Sequence, residues 1–156
     1  MHPLVAVLGV FGIVAAIDKL VGALFPTKIF ISYYYDKDRA LKRLLKAWNK
    51  NEKFDVEFED VSADVSLTTR TDQELQTELT KRIQKADIVL VLVGSRTHTR
   101  KWVSYEITEA VRLSKPIIAV KQKRNHLSPK VLKGVGVNWV YGFQARKIIN
   151  ALKECS

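Results

Sequence analysis

A tryptophan and a glutamate, Trp102 and Glu106, stand four positions apart in the segment RKWVSYEI, residues 100–107. The apolar residues around and after them recur at helical spacing, and two residues four apart on a helix lie on one face. A carboxylate near a helix start can simply complement the positive end of the helix dipole. Alternatively, the carboxylate is positioned to act on a ligand, with the indole beside it. Spacing alone favours the first interpretation.

Other side chains that could do chemistry are few. Three histidines are scattered along the chain, and only His98, in a loop ahead of Trp102, is a candidate for ligand contact. The single cysteine, Cys155, cannot form an internal disulfide and has no neighbour at a zinc-ligand spacing. We therefore predict no metal site, and this cysteine usage favours a reducing compartment.

Missing motifs narrow the function further. Neither G-x-G-x-x-G after the first strand nor G-x-x-x-x-G-K-[ST] occurs, which argues against a bound dinucleotide cofactor and against a P-loop NTPase. No G-x-S-x-G nucleophile motif is present. The apolar run at 87–94 ends without an aspartate, so the phospho-acceptor chemistry of response regulators is not expected. We expect no cofactor.

Hydrophobic periodicity predicts alternating strands and helices from residue 28 onward. A capping box, Thr71 with Glu74, marks one helix start, and an earlier helix is expected to bury a stripe of Leu41, Leu44, Leu45 and Trp48. The order β-α-β-α-β-α-β-loop-β-α indicates an α/β fold, a five-stranded parallel sheet with helices on both faces. The strands are expected within residues 28–34, 54–61, 87–94, 115–122 and 138–142.

In such a sheet, ligands bind outside the carboxyl ends of the strands, where the strand order reverses. Those ends carry the segments SYYYDKD, EDVSAD, GSRTHTRKW and KQKRNH. We expect the first and third segments to flank this switch point. The helix with Trp102 and Glu106 follows the third segment, so both residues are expected beside the ligand cleft.

We interpret residues 1–27 as a hydrophobic helix that precedes a domain of residues 28–156. The apolar run at 4–25 has about the ~20 residues that a membrane helix needs, although Asp18 and Lys19 interrupt it at a cost. Three interpretations stay open: a membrane anchor, a cleaved signal peptide, or a helix packed on protein. Lysines and arginines follow the segment, so an anchored chain would keep its domain in the cytoplasm, at the inner membrane.

The chain of 156 residues has a formal net charge of +10, which favours anionic partners such as nucleotides, nucleic acid or an anionic membrane. A nucleic-acid surface needs aromatic side chains among its basic ones. The basic loop from Lys121 to Lys133 contains a histidine but no Phe, Tyr or Trp. Nucleic acid is therefore not an expected partner.

The segments KIFISYYYDKD, DIVLVLVGSRT and TRKWVSYEI together resemble the TIR-like domains, especially those of the bacterial Thoeris antiphage system. The resemblance covers about residues 28–123, and its specific part runs from Gly94 to Ile107. The W-x-x-x-E element formed by Trp102 and Glu106 is similar to the TIR motif whose glutamate is catalytic in NAD+-cleaving members. The resemblance implies a flavodoxin-like sheet, in agreement with the periodicity.

The resemblance also implies a reaction, cleavage of the bond between nicotinamide and ribose in NAD+, with NAD+ as substrate and not as cofactor. The product would be ADP-ribose or a cyclic isomer that activates a separate effector protein. Glu106 would stabilise the oxocarbenium-like transition state, and Trp102 would orient its helix or lie at the site rim. The expected substrate-binding residues, assigned from their positions at strand ends, are Ser32, Tyr33 and Tyr34 on one side and Ser95, Arg96 and Thr97 on the other.

Many TIR enzymes act only as oligomers, so self-association is expected, although segment 60–74 does not match the loop that many TIR domains use for it.

A first alternative to an NAD+-cleaving enzyme is a non-catalytic TIR-like module that senses or scaffolds through protein–protein interaction. A second is a nucleoside-processing enzyme such as a deoxyribosyltransferase, which has a similar sheet and also uses a glutamate.

Overall fold

The computed structural model of the chain describes residues 26–50, 58–62 and 70–155. The hydrophobic helix predicted at 1–27 falls outside these ranges except for its last two positions. The anchor, signal-peptide and packed-helix interpretations therefore remain predictions. Across the described ranges, no helix combines the length and the apolar character needed to cross a membrane.

Five parallel strands form one sheet, as the alternation predicted. The strand order is β2-β1-β3-β4-β5, so it reverses between the first and third strands. This order is the flavodoxin-like one, and it confirms the predicted switch point. The strands are β1 (Thr27–Ser32), β2 (Phe58–Asp60), β3 (Ile88–Val93), β4 (Ile117–Lys121) and β5 (Val137–Tyr141).

Helices cover both faces of the sheet, again as predicted. One face packs against α2 and α3, and the opposite face packs against α1 and α4. Along β1, Phe30 faces the first pair of helices while Ile29 and Ile31 face the second, which is the alternation that a strand imposes. The helices are α1 (Tyr35–Asn49), α2 (Asp72–Lys85), α3 (Lys101–Arg112) and α4 (Ala145–Cys155).

The central position of β3 in the sheet explains why its sequence is a continuous apolar run. All six of its residues are buried, because β1 and β4 flank it and helices cover both of its faces. At the sheet edge, β2 covers Phe58–Asp60 of the strand predicted at 54–61, and positions 54–57 of that prediction lie outside the described residues. The side-chain amide of Asn49 bonds both the N–H and the C=O of Phe58, each at 2.8 Å, and so ties the end of α1 to this edge strand.

Helix boundaries follow local sequence signals where those signals are strong. Thr71 caps α2: its hydroxyl accepts the Glu74 N–H at 3.2 Å, while the Glu74 carboxylate accepts the Thr71 N–H at 2.9 Å. The predicted capping box is therefore confirmed. The stripe predicted for α1 is wrong at one position, because Leu44 is 42% exposed and Lys42 is buried beside Leu45.

Candidate active site

The buried polar side chains of the protein are concentrated at one edge of the sheet. A buried polar group is costly unless it is hydrogen-bonded, so such a concentration in an apolar core marks a functional region. The edge is the one formed by the carboxyl ends of β1, β2 and β3, together with the first turns of α1. In the part of the chain that the structure describes, the buried polar residues are Ser32, Asp38, Lys42, Ser62 and Thr97.

Glu106 is joined to the end of β1 by a hydrogen bond. Ser32 is the last residue of β1 and points to the same face as Phe30, which is the face that α3 covers. Its hydroxyl donates to Oε2 of Glu106. The glutamate predicted to be catalytic is therefore placed at the switch point between β1 and β3.

The environment of Glu106 disfavours its charged form. Burial raises the pKa of Glu106 to about 8, against the opposing effects of the Ser32 hydrogen bond and the positive charge of Lys42. At neutral pH the carboxyl of the ligand-free protein is mostly protonated. A shift of this size and cause, at the ligand-binding end of the sheet, is typical of a catalytic carboxyl.

Lys42 extends the polar region from the end of β1 to the end of β2. Its ammonium donates to the carbonyl and to the hydroxyl of Ser62, at 3.0 and 3.1 Å, and pairs with Asp60 Oδ2 at 3.3 Å. It also lies 5.0 Å from the centre of the Tyr33 ring. Asp60 in turn accepts the Ser62 hydroxyl at 2.5 Å, so the three residues form one closed network.

A second buried carboxyl, that of Asp38, lies between β1 and β3. Its Oδ2 accepts a hydrogen bond from the Thr97 hydroxyl at 3.2 Å. Burial raises the pKa of Asp38, while the Thr97 hydrogen bond acts in the opposite direction. A Cβ at Gly94 would lie 2.7 Å from Oδ2 and nearer still to Oδ1. Only glycine fits there, because the carboxyl of Asp38 occupies the space of a side chain.

The sequence analysis assigned no role to Lys42, Asp60, Ser62 or Asp38, although the last three lie in the strand-end segments SYYYDKD and EDVSAD that it named. One signal was present: Asp38 and Lys42 fall on the helical stripe that continues to Leu45, and all three residues are buried. Charged residues that share a helix face with apolar ones indicate that this face is buried next to a polar site. The first turns of α1 show this pattern.

The predicted substrate-binding residues of β1 lie at the site. Tyr33 is half-buried against the core between the sheet and α1 and α4. Tyr34 is half-buried beneath Arg100, whose guanidinium lies 4.0 Å from the centre of its ring. The Tyr34 hydroxyl donates to Asp36 at 3.0 Å. The end of β1 therefore has two contacts with this region, from Ser32 to Glu106 within α3 and from Tyr34 to Arg100 just before the helix.

The predicted residues after β3 divide into two groups. Thr97 is fully buried and anchors its turn, because its hydroxyl accepts the Gly94 N–H at 2.8 Å. Ser95 and Arg96 are exposed beside it. Trp102 is half-buried against the α2–α3 side of the core and meets Tyr105 edge-on, with ring centres 5.9 Å apart. That packing suits a residue that orients its helix.

Three buried ring or guanidinium nitrogens near this edge have no hydrogen-bond partner within the described residues. They are Nδ1 of His98, Nε of Arg100 and Nδ1 of His126. His98 and Arg100 belong to the turn between β3 and α3, and His126 belongs to the loop after β4 and acts electrostatically on Asp38. Polar atoms left without partners at the carboxyl ends of strands are candidate ligand contacts.

No group of three or more His, Cys, Asp and Glu side chains in the described ranges is arranged to hold a metal ion. The chemistry available to these residues is that of a carboxyl group, Glu106, which accepts a hydrogen bond from the Ser32 hydroxyl and whose ionised form the charge of Lys42 favours. Such a carboxyl can hydrogen-bond a sugar hydroxyl or stabilise a positive charge that develops on a sugar.

Comparison with known proteins gives one family match. A family model described as the Thoeris protein ThsB, TIR-like domain, matches residues 30–126. The matched range runs from β1 to the loop after β4 and contains Ser32, Lys42 and Glu106. No curated protein matches the sequence at a significant level.

Two solved structures are similar to this chain. The CMP N-glycosidase BcmB of Clostridium botulinum is 12% identical, covers 82% of this chain and 98% of its own, and has a TM-score of 0.56. A 3-dehydroquinate dehydratase-like protein from Bifidobacterium longum is 18% identical, covers 83% of this chain and 97% of its own, and has a TM-score of 0.45. At 12% identity, the likeness to the first shows a shared fold alone.

Proposed function

The chain belongs to the TIR-like domain family of the Thoeris protein ThsB, and from that premise we propose that it cleaves the nicotinamide–ribose bond of NAD+ with Glu106 as the catalytic residue. In this proposal the ADP-ribose-derived product is a signal in antiphage defence. It acts on a separate effector protein, and the chain self-associates when active.

One observation carries the proposal, the hydrogen bond from Ser32 to Glu106 at the switch point of the sheet. A ligand in an α/β fold of this order lies outside the carboxyl ends of β1 and β3. Glu106 is the carboxyl group of α3 that is fixed to one of those ends. A nucleotide bound there would meet it.

The positive charge of the substrate favours the ionised form of Glu106. An opposite charge within a few ångströms favours the ionised form of a carboxyl group and lowers its pKa. The pyridinium ring of NAD+ is such a charge, so binding of NAD+ draws the Glu106 carboxyl toward its carboxylate form. Release of that proton places a negative charge where the reaction develops a positive one.

The reaction needs little else from the protein. The bond between C1′ and the pyridinium nitrogen breaks, and its electron pair leaves with nicotinamide as a neutral molecule. The ribosyl group becomes oxocarbenium-like, and the Glu106 carboxylate stabilises that charge. Attack of water at C1′ gives ADP-ribose, and attack by a nucleophile within the same molecule gives a cyclic isomer; each route releases one proton.

The test follows nicotinamide release from NAD+ by chromatography, with the purified full-length chain and two matched variants. Glu106→Gln keeps the shape of the side chain and removes its charge, and we expect at least ~100-fold slower release. Glu109→Gln is the control, because Glu109 is a neighbour on α3 that pairs with Arg112 at 2.8 Å. We expect this control to release nicotinamide at the wild-type rate.

The experiment also measures the mass of the product and tests CMP as a second substrate. The mass of the product separates hydrolysis from cyclisation. CMP is included because a structure with this fold is described as a CMP N-glycosidase, and release of cytosine without release of nicotinamide would replace NAD+ by a nucleoside monophosphate. If the wild type releases no nicotinamide, even in extract from phage-infected cells, the protein is a sensor or scaffold.

A further inference from the structure

The guanidinium group of Arg100 has an aromatic partner but no acidic one among the described residues. It lies over the ring of Tyr34, 4.0 Å from the ring centre, and its buried Nε has no hydrogen-bond partner in that part of the chain. None of the ion pairs that the described residues form includes Arg100. A buried donor without a partner costs free energy, so we expect a ligand to complete the hydrogen bonds of this group.

An arginine that only covers an aromatic ring would be expected to pair with a nearby carboxylate. Asp36 offers one, because its carboxylate accepts the Tyr34 hydroxyl at 3.0 Å, yet Asp36 and Arg100 form no ion pair. The next residue gives the contrast, since Lys101 pairs with Asp72 at the start of α2. The charge of Lys101 is therefore matched within the protein, whereas that of Arg100 is available to a ligand.

The contact between Tyr34 and Arg100 lies further out from the sheet than the hydrogen bond between Ser32 and Glu106. Side chains alternate at the end of β1, so that Ser32 and Tyr34 face the α3 side while Tyr33 packs against the opposite core. Two residues of extended chain span about 7 Å. On the other side, Arg100 stands six positions before Glu106, which corresponds to about 9 Å of helix rise. Both segments place Arg100 toward the space outside the strand ends, where a ligand of this fold lies.

A ribosyl nucleotide carries a phosphate at a matching place. The proposed reaction occurs at C1′, and the 5′-phosphate is joined to that carbon through the ring oxygen, C4′, C5′ and O5′, several ångströms away. A guanidinium presents its N–H groups as a planar fork that fits two phosphate oxygens, and stacking on an aromatic ring leaves that fork free. Tyr34 thus holds Arg100 where the phosphate of a ribose bound at Glu106 would lie.

We propose that Arg100, held against Tyr34, binds the 5′-phosphate of the ribose whose C1′ bond is cleaved, and so makes the site specific for 5′-phosphorylated nucleotides over nucleosides. This inference rests on the proposed function and adds a specificity-determining residue to it. His98 stands on the same turn between β3 and α3, and its buried Nδ1 also has no hydrogen-bond partner in the described ranges. Two unpartnered nitrogens on one turn agree with a turn that faces a polar ligand.

The test compares substrates that share the nicotinamide–ribose bond and differ at the 5′ position. NAD+ and nicotinamide mononucleotide carry a 5′-phosphate, and nicotinamide riboside has a hydroxyl there. Nicotinamide release is measured as kcat/KM with the full-length wild type and Arg100→Met. We expect the wild type to prefer the mononucleotide to the riboside by roughly 10–100-fold. Arg100→Met should lose most of this preference, with slower cleavage of both phosphorylated substrates and unchanged cleavage of the riboside.

Lys101→Met is the matched control, because it removes the neighbouring cation, which Asp72 already pairs. We expect it to keep the wild-type preference for the mononucleotide. Arg100→Lys keeps the charge without the planar fork, and we expect an intermediate preference. An equal fall with all three substrates in Arg100→Met would mean that Arg100 is only structural, and no fall at all would mean that it does not meet the phosphate. Either result would overturn the proposal.

A folding defect in Arg100→Met is recognised by the loss of cooperative thermal unfolding. In that case Arg100→Gln, which keeps a polar side chain without the charge, replaces it. The expectation is the same, a lost preference for the mononucleotide with unchanged cleavage of the riboside. A wild-type preference in Arg100→Gln would refute the role of Arg100.

A binding measurement distinguishes failure of this inference from failure of the proposed function. Titration calorimetry with ribose 5-phosphate and with ribose follows the phosphate without turnover. We expect ribose 5-phosphate to bind the wild type at least roughly tenfold more tightly than Arg100→Met, and ribose to show no such difference. If no substrate releases nicotinamide but this difference is found, the proposed function fails and the phosphate site stands. Equal binding of ribose 5-phosphate to the two proteins, or none to the wild type, refutes the phosphate site.

Discussion

The hydroxyl of Ser32, at the end of β1, donates a hydrogen bond to Oε2 of Glu106, a residue 74 positions later on α3. The bond crosses the place where the strand order reverses, and it fixes the proposed catalytic carboxyl against the sheet. Lys42 acts on the same carboxyl group from α1. A hydroxyl of β1 and a carboxyl of α3 thus form one site, and its chemistry should depend on pH.

The rate of NAD+ cleavage should rise with pH. Because burial raises the pKa of Glu106 to about 8, the ligand-free enzyme at neutral pH holds mostly the protonated form. If the carboxylate is the active form, kcat/KM increases through a midpoint near pH 8 and then reaches a plateau. Steady-state kinetics from about pH 6 to about pH 10 would show this. A rate that falls through the same midpoint would instead make Glu106 a general acid.

The contribution of Glu106 to the free energy of unfolding should fall as the pH rises, whereas the rate of NAD+ cleavage should increase. The folded-state pKa of Glu106 lies above the usual 4.5, so between pH 4.5 and about 8 the folded chain keeps a proton that the unfolded chain has lost. The Glu106 contribution is therefore fully present below pH 4.5 and is lost as the pH rises toward 8. Each pKa unit corresponds to about 1.4 kcal/mol.

Glu106→Gln removes this contribution, which can be measured by urea unfolding at several pH values. We expect the variant to gain stability relative to wild type as the pH rises through this window. Glu109→Gln is the control: the Arg112 contact lowers the pKa of Glu109 below 4.5, so the stability difference between this variant and wild type should stay constant through the same window and change only at lower pH. A difference between Glu106→Gln and wild type that does not change with pH would contradict the raised pKa.

Removal of the Ser32 hydroxyl should make the Glu106 carboxyl harder to ionise without unfolding the site. Ser32→Ala deletes one hydrogen bond to the carboxyl, worth about 1.5–3 kcal/mol for a bond to a charged group. The bond favours the ionised form of Glu106, so its loss raises the midpoint of the kcat/KM profile. We expect roughly tenfold slower cleavage at neutral pH and partial recovery at higher pH. An unchanged midpoint would show that the bond does not control ionisation.

Gly94 should tolerate no side chain while Asp38 is present. In Gly94→Ala the new Cβ meets the Asp38 carboxylate at 2.7 Å or less, and overpacking of this kind costs about 1–3 kcal/mol. Gly136→Ala is the control, since a Cβ at Gly136 meets nothing within 4 Å. Chemical denaturation compares the two variants. The double variant Gly94→Ala/Asp38→Ala should be more stable than the sum of its single effects, and strict additivity would rule out the clash.

The sequence predicts the α/β fold well, because apolar runs and capping residues are local signals. The run at 87–94 becomes the buried strand β3, and the Thr71–Glu74 box caps α2. Strand alternation and the rule for parallel sheets together place Ser32 and Glu106 at one edge. Their contact follows from topology, although no pattern in the sequence pairs the two residues.

Periodicity fails where function or a long-range contact overrides it. The α1 stripe predicts Leu44 inside, whereas in the structure Leu44 is exposed and Lys42, which the stripe did not include, is buried. The basic loop after β4 has no aromatic residue of its own, yet Arg124 lies 4.9 Å from the ring centre of Tyr141, a residue of the neighbouring strand β5. Hydrophobic patterns assign charged residues to solvent and take no account of residues that are remote in the chain.

By itself, the sequence determined the order of strands and helices and the switch point, because propensity and periodicity act over a few residues, and the candidacy of Glu106 came from the resemblance of its W-x-x-x-E segment to the TIR motif. The tertiary structure alone decided that Lys42 and Asp60 form a buried pair, that Asp38 fills the space above Gly94, and that Glu106 has a raised pKa. Burial and electrostatic fields arise from atoms that only the folded chain brings together, so they leave no local pattern to read.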